Sequence, residues 1–228
     1  MKFDALSFAG CGTLNFYQTG VAHALQQAGL TDDVLYAGAS AGSGLSVMIA
    51  SGVDAKQILR TAIELLEPHQ GKNIFKHPEM LKEFAHSFLD AFIDEDTLSK
   101  IEDRVHISIT TLRPFRNQLI NQFSDVEDLC RAIKASCHLP SIRFPSVYFR
   151  GQKCIDGGFT KNSPKVGVSC LRVSPFFFDP RMKINPRRIT PPWWGAIVPS
   201  PERAIKLFEQ GMKDAERKIR KRGLRLLK

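Results

Sequence analysis

Val34-Leu35-Tyr36-Ala37-Gly38-Ala39-Ser40-Ala41-Gly42 is the stretch on which the reading of the chain turns. Its first four residues predict a short strand. The next five fit G-x-S-x-G, and Leu45 to Ala50 continue as an apolar helix stopped by Gly52. A serine on so sharp a strand-to-helix turn projects its hydroxyl from the edge of a sheet, and Gly38 and Gly42 let the backbone fold that tightly. The N-terminus of the following helix favours negative charge developing at Ser40. A small-residue cluster that only lets a helix pack closely is the competing reading. The strand before the motif and the helix after it argue for the functional one.

Outward from this stretch, strands and helices alternate. Ala5 to Ala9 predicts a buried strand, broken by Gly10-Cys11-Gly12 and followed by a helix from Asn15 to Ala28. Asp54 caps a helix running to about Glu67, and Pro78 to Phe92 form another. Val105 to Leu112 reads as a strand and Asn117 to Phe123 as a weaker one. Ser124-x-x-Glu127 reads as a capping box opening a helix to about Cys137. Val147 to Asp156 predicts a hairpin turned at Gly151, and Val168 to Val173 a last strand. Prolines crowd Pro175 to Pro201, and Pro201 opens a basic helix. Such alternation implies a mostly parallel sheet covered by helices. Residues 1–200 are expected to form one catalytic domain, with 201–228 a basic amphipathic C-terminal helix packed on it.

Two further elements bear on chemistry. Gly10-Cys11-Gly12 either aims backbone N–H groups at a substrate oxyanion or is a broken dinucleotide fingerprint with Asn15 for its third glycine. The dinucleotide reading wants an acidic residue at the end of the second strand. Gly38 stands there, and Asp32 and Asp33 lie at the other end. Asp156-Gly157-Gly158 reads locally as a turn, with Asn162 and Pro164 close behind. A serine nucleophile needs a base. His23, His69, His77, His86, His106 and His138 all precede Asp156, which excludes the order Ser–Asp–His through that aspartate. His106 or His138 with an earlier carboxylate stays open.

Together the three elements resemble those of the patatin-like phospholipases, and Phe8-Ala9-Gly10-Cys11-Gly12 resembles the branch containing adipose triglyceride lipase. The resemblance rests on three motifs in order and covers most of the chain. It implies a three-layer α/β/α sandwich with a mostly parallel central sheet. It also implies a dyad without histidine, in which Ser40 is the nucleophile and Asp156 the base. Gly10, Cys11 and Gly12 would form the oxyanion hole, Gly38 and Gly42 the nucleophile elbow, and Gly157 and Gly158 the aspartate motif. Asn15 departs from that branch, which usually carries glycine there. The implied activity is cleavage of glycerolipid carboxylic esters, of phospholipase A type, through an acyl-enzyme. Triacylglycerol lipase, acyltransferase and non-catalytic lipid binder are the alternatives. A free carboxylate, with a pKa of about 3.9, is a weak base for a serine, so Asp156 is expected to be buried where its pKa rises.

Composition narrows the partners. The net charge is +9, and Glu202 to Lys228 hold ten Lys/Arg against four Asp/Glu. Ile205, Phe208, Met212, Ala215 and Ile219 recur at helical spacing. They predict an apolar stripe, with Lys213, Arg217, Arg220 and Lys221 on a basic face that meets anionic lipid or is simply solvated. Pro192-Trp193-Trp194 reads as an interfacial anchor, and Phe176-Phe177-Phe178 as another or as a buried strand end. The expected partners are a glycerolipid substrate and a membrane or lipid surface. Few aromatics interleave the charges, so no nucleic acid is expected. Cys11, Cys130, Cys137, Cys154 and Cys170 are odd in number and widely spaced, against a disulfide framework or a zinc site. No metal and no cofactor are expected. Without a signal-peptide pattern or a run of 18 apolar residues, the chain is expected to be cytoplasmic and peripherally membrane-associated.

Overall fold

A computed structural model describes residues 1–141, 145–177 and 182–227; Phe178, the third residue of the phenylalanine run, and Lys228 lie outside them. The strands are β1 (Lys2–Phe3), β2 (Ala5–Phe8), β3 (Leu35–Ala39), β4 (Val105–Leu112), β5 (Phe115–Ile120), β6 (Val147–Phe149), β7 (Gln152–Asp156), β8 (Cys170–Val173) and β9 (Arg225–Leu226). The helices are α1 (Asn15–Gln27), α2 (Ala41–Ala50), α3 (Ala55–Leu66), α4 (Pro78–Asp90), α5 (Glu95–Ile101), α6 (Val126–Ser136), α7 (Gly158–Lys161) and α8 (Pro201–Arg222). Short 3-10 turns cover Gly12–Leu14 and Pro192–Ala196.

Pairing connects β8, β2, β3 and β4 in parallel, and β7, β6 and β5 join antiparallel, so the sheet is mixed and mostly parallel. β2 is buried at every residue, as a central parallel strand covered on both faces should be. Leu6, Phe8, Tyr36, Ile107 and Ile109 form the middle of the core. One detail of register positions the site. Ile107 pairs with both Gly38 of β3 and Ile120 of β5, so β3 and β5 lie on opposite edges of β4. Ile109 pairs with both Gln118 of β5 and Asp156 of β7, so β7 shares the β3 edge. β3 and β7 therefore meet nearly end to end beside β4, with Ala39 opposite Ser108 and Asp156 opposite the next residue, Ile109.

The structure corrects several local expectations. β3 runs through Gly38 and Ala39, and α2 starts at Ala41 rather than Leu45. The cap of α6 is Asp125, whose carboxylate accepts from the Asp128 N–H at 2.7 Å, so Ser124 lies one residue outside the helix. α5, capped by Asp94, was not anticipated. On α8 the buried line is Ala204, Leu207, Phe208, Gly211, Asp214 and Ala215, and Ile205 is exposed. The cause is close packing of α8 on α1. A Cβ at Gly20 would sit 1.9 Å from the Phe208 carbonyl oxygen, and one at Gly211 would sit 1.9 Å from that of Tyr17. Each glycine meets the backbone of the other helix, and of the expected stripe Phe208 and Ala215 are buried while Met212 and Ile219 pack against the core. Arg225 and Leu226 then pair in parallel with Lys2 and Phe3.

Candidate active site

Ser40 stands between β3 and α2 with φ +52° and ψ −132°, a left-handed backbone that a non-glycine residue rarely adopts. The turn closes because its flanks lack side chains. A Cβ at Gly38 would lie 2.2 Å from the Gly42 carbonyl oxygen, and one at Gly42 would lie 2.3 Å from that of Phe8. The Ser43 N–H and hydroxyl both donate to the Ser40 carbonyl, at 2.8 and 2.6 Å. The Ser40 N–H is held by a side chain. In β3 the Tyr36 N–H donates to Arg104 O, and the same parallel register would carry the Ser40 N–H to Ser108 O. The buried hydroxyl of Ser136 occupies that rung. It accepts from Ser40 N–H at 2.9 Å and donates to Ser108 O at 2.7 Å.

Asp156 ends β7 with its backbone fixed. Its N–H donates to His138 O at 2.8 Å, and its carbonyl accepts from the Thr110 hydroxyl at 2.8 Å. Gly157 N–H donates to Ser136 O at 3.2 Å, so the C-terminal end of α6 is wedged between Ser40 and the aspartate turn. The carboxyl is 3% exposed. Oδ1 accepts from Gly158 N–H at 2.7 Å, while buried Oδ2 has no partner in full hydrogen-bond geometry. Burial pushes the carboxyl up to about 6, and the Ser40 hydroxyl followed by Gly158 N–H pull in the opposite sense. The Ser40 hydroxyl thus lies in the neighbourhood of the carboxyl.

Gly10 is pressed between the two loops. A Cβ there would lie 2.6 Å from Asn162 Oδ1 and 2.9 Å from Ser40 Cβ. Its N–H donates to Asn162 O at 3.1 Å. Among the described residues the N–H groups of Cys11 and Gly12 have no hydrogen-bond partner. Buried Gln18 fixes this turn from α1. Its Oε1 accepts from Ala9 N–H, and its Nε2 donates to Ala9 O, both at 2.8 Å. Nε2 also reaches Cys11 Sγ at 3.1 Å and Asn15 Oδ1 at 2.9 Å, so the departure at Asn15 is absorbed into the network that holds the turn.

A family description, "Patatin-like phospholipase", matches residues 6–165, which contain the elbow, the glycine turn and the aspartate turn. The chain belongs to the patatin-like phospholipase family. It is 32% identical over 206 residues to human "Patatin-like phospholipase domain-containing protein 4", covering 82% of this chain and 76% of that one. It is 31% identical over 182 residues to human "1-acylglycerol-3-phosphate O-acyltransferase PNPLA3", covering 76% of this chain and 37% of the relative. The chain thus spans well under half the length of that relative, and 44% of the length of its mouse counterpart. Among solved structures, VipD from Legionella pneumophila shares the fold at a TM-score of 0.50 and 12% identity, covering 79% of this chain and 51% of VipD.

Within this patatin-like site the sequence left several residues unmarked. Ser136 ends a helix, where a serine signals nothing in particular, and Gln18 reads as an ordinary helix residue. The thiol of Cys137 lies against the hydroxyls of Ser43 and Ser40. Burial first, then the charge of Asp156, pushes it up to about 12, so it stays protonated. Cys11 is raised too, by burial above all. His106 pairs with Ala37, two rungs from Ser108 toward the opposite end of the sheet, so it is remote from Ser40. His138 contributes its carbonyl to Asp156 N–H.

Proposed function

We propose that the chain is a lipid acyl hydrolase of phospholipase A type that works through Ser40 and Asp156 on the three-layer sandwich its family implies. The observation that carries this reading is the meeting of the two strand ends: a strained serine and a buried carboxyl with an orphan oxygen, at neighbouring rungs of β4. Above about pH 6 Asp156 is ionised. It takes the proton of Ser40 Oγ as the oxygen attacks the ester carbonyl, and the N–H groups of Cys11 and Gly12 receive the oxyanion. Collapse of the tetrahedral intermediate returns the proton to the leaving alkoxide and leaves an acyl-serine. Water, deprotonated by the same carboxylate, then releases the fatty acid.

A second reading draws on two relatives, an acyltransferase and an omega-hydroxyceramide transacylase. In it a lipid hydroxyl replaces water in the second step. Similarity to the triglyceride-lipase branch at Phe8–Gly12 adds triacylglycerol as a further substrate class. Five free cysteines fit a reducing, cytoplasmic setting with peripheral contact to lipid. The test is a panel of phospholipid, triacylglycerol and ceramide esters, with and without a lysolipid acceptor, for the native chain and Ser40→Ala. Free fatty acid from phospholipid, absent in Ser40→Ala, supports hydrolysis. Labelled acyl product appearing only with the acceptor supports transfer, and turnover unchanged in Ser40→Ala defeats both.

A further inference from the structure

The loops that hold the oxyanion turn carry exposed aromatic side chains. Residues 71–74 and 196–198 run antiparallel: Asn73 bridges Ile197, Gly71 N–H donates to Val198 O at 3.0 Å, and Ile74 N–H donates to Ala196 O at 2.8 Å. The chain then turns, with Lys76 N–H donating to Asn73 O at 3.0 Å and Phe75 N–H to Asn73 Oδ1 at 2.9 Å, so Phe75 sits at the tip of the turn that follows Ile74. Gly195 abuts the oxyanion turn, because a Cβ on it would lie 2.5 Å from Cys11 O. From the other side, a Cβ on Gly12 would lie 2.2 Å from Gly195 O and 3.3 Å from Ile74 Cδ1. The Thr13 hydroxyl ties the turn to Trp194 O and Ile197 O at 2.9 and 2.7 Å. Trp194 is half-buried, with Arg203 over its ring at 4.4 Å, whereas Trp193 is 69% exposed and Phe75 is 55% exposed.

A third exposed aromatic follows the aspartate turn. Phe159, 55% exposed, follows Gly158, whose N–H holds the Asp156 carboxyl. Its neighbour Thr160 turns inward to Thr110 at 2.7 Å, which leaves Phe159 facing out. The charge of the two clamping loops is one-sided. Residues 68–78 and 182–201 contain Lys72, Lys76, Lys183, Arg187 and Arg188 and no Asp or Glu. Exposed aromatics with Lys72 and Lys76, on loops that adjoin the glycine turn and the aspartate turn, match an anionic lipid surface: rings enter the headgroup–acyl boundary and ammonium groups meet phosphate. The basic face of α8 lacks the first component, since its apolar line is spent on α1.

We propose that Phe75, Trp193 and Phe159, with Lys72 and Lys76, form the surface by which this chain docks on an anionic phospholipid bilayer, its Ser40 opening turned toward the lipid. The proposal rests on the esterase reading for its purpose, but its test does not require turnover. Co-sedimentation is measured for the Ser40→Ala chain with vesicles of phosphatidylcholine, with and without phosphatidylglycerol. The parent is expected to bind the anionic vesicles, and Phe75→Ala/Trp193→Ala to bind them on the order of tenfold more weakly or worse. Lys72→Glu/Lys76→Glu is expected to lose the preference for phosphatidylglycerol together with its salt dependence. Lys213→Glu/Lys221→Glu on α8 is expected to bind like the parent. Melting temperatures report whether each variant folds. Brominated lipid is expected to quench Trp193 in a Trp194→Phe background. Full binding by Phe75→Ala/Trp193→Ala, loss of binding in the α8 variant instead, an unquenched Trp193, or no vesicle binding at all would overturn the proposal. Normal docking without any ester turnover would sink the esterase reading and leave the docking surface standing.

Discussion

Two aspartates of this chain are almost equally buried, and their surroundings treat them in opposite ways. Asp128, 4% exposed, receives the Arg150 guanidinium and the N–H of Ser124, which hold its carboxyl below the usual range despite its burial. Asp156, 3% exposed, has one backbone N–H and an orphan oxygen, and burial drives its pKa up to about 6. Low exposure alone therefore does not decide a carboxyl's fate; the depth of its burial and its partner together do. Asp128 ties the turn of the β6–β7 hairpin, at Arg150, to the first turn of α6, a structural use of charge. Asp156 is left uncompensated next to a serine hydroxyl, which is costly to the fold and useful to a proton acceptor.

The sharpest way to break this contrast is by activity. Asp156→Asn and Ser40→Ala are each expected to lower phospholipid turnover by at least about 10³-fold, because groups acting as one unit fail together. Asp128→Asn and His138→Ala, assayed alongside, are expected to stay within about tenfold of the native chain. Turnover lost in His138→Ala and kept in Asp156→Asn would return the base role to histidine.

Stability is expected to move in opposite directions at the two sites. For Asp156 the folded pKa, about 6, lies above the unfolded value of 3.8, so the folded chain binds the extra proton between them. Its stability relative to a neutral side chain is greatest below the unfolded pKa and declines as pH rises toward about 6. Above that, Asp156→Asn is expected to gain up to about 3 kcal/mol, two pKa units at 1.36 kcal/mol each. At pH 4 the gain is expected to vanish. For Asp128 the folded pKa is depressed, so its contribution is present above the unfolded pKa and lost as pH falls through the folded one. Asp128→Asn is expected to lose about 1–3 kcal/mol at neutral pH, since Arg150 keeps a weakened partner. Urea melts at pH 4 and pH 8 check the sign at Asp156, and melts carried below the unfolded pKa of Asp128, from pH 8 toward pH 2, check the sign there.

The smallest expected effect is at Ser136, the hydroxyl rung between Ser40 and Ser108. Ser136→Ala leaves a buried N–H without a partner, at a cost of about 1–3 kcal/mol. Because that N–H belongs to the strained serine, kcat is expected to fall by about tenfold with KM little changed, as expected when only the reacting geometry shifts. Ser136→Thr is expected to restore part of it. A fall in stability with kcat intact would reduce Ser136 to a packing role.

What could be read from sequence follows the range of the physics. The elbow was legible because its chemistry is local: glycines, serine and helix follow one another in the chain. Asp156 was legible by resemblance, its own surroundings saying only turn. The rungs that bring Asp156 to Ser40 are set by β4 serving two strands along one edge, and no local pattern announces that. Ser136, Gln18 and the Arg150–Asp128 pair escaped for the same reason, since each acts on a residue distant in sequence. The stripe on α8 was legible at Phe208, Met212, Ala215 and Ile219, which are buried or packed against the core, and failed at Ile205, which is exposed.

The central claim is that Asp156 is the base for Ser40, and the rate of Ser40 labelling by a fluorophosphonate as a function of pH tests it most directly. The native chain is expected to label with a rate that climbs through a midpoint near 6 and then levels, following ionisation of Asp156. In Asp156→Asn labelling is expected to be slow and flat across the same range. An undiminished rise in Asp156→Asn would contradict the account.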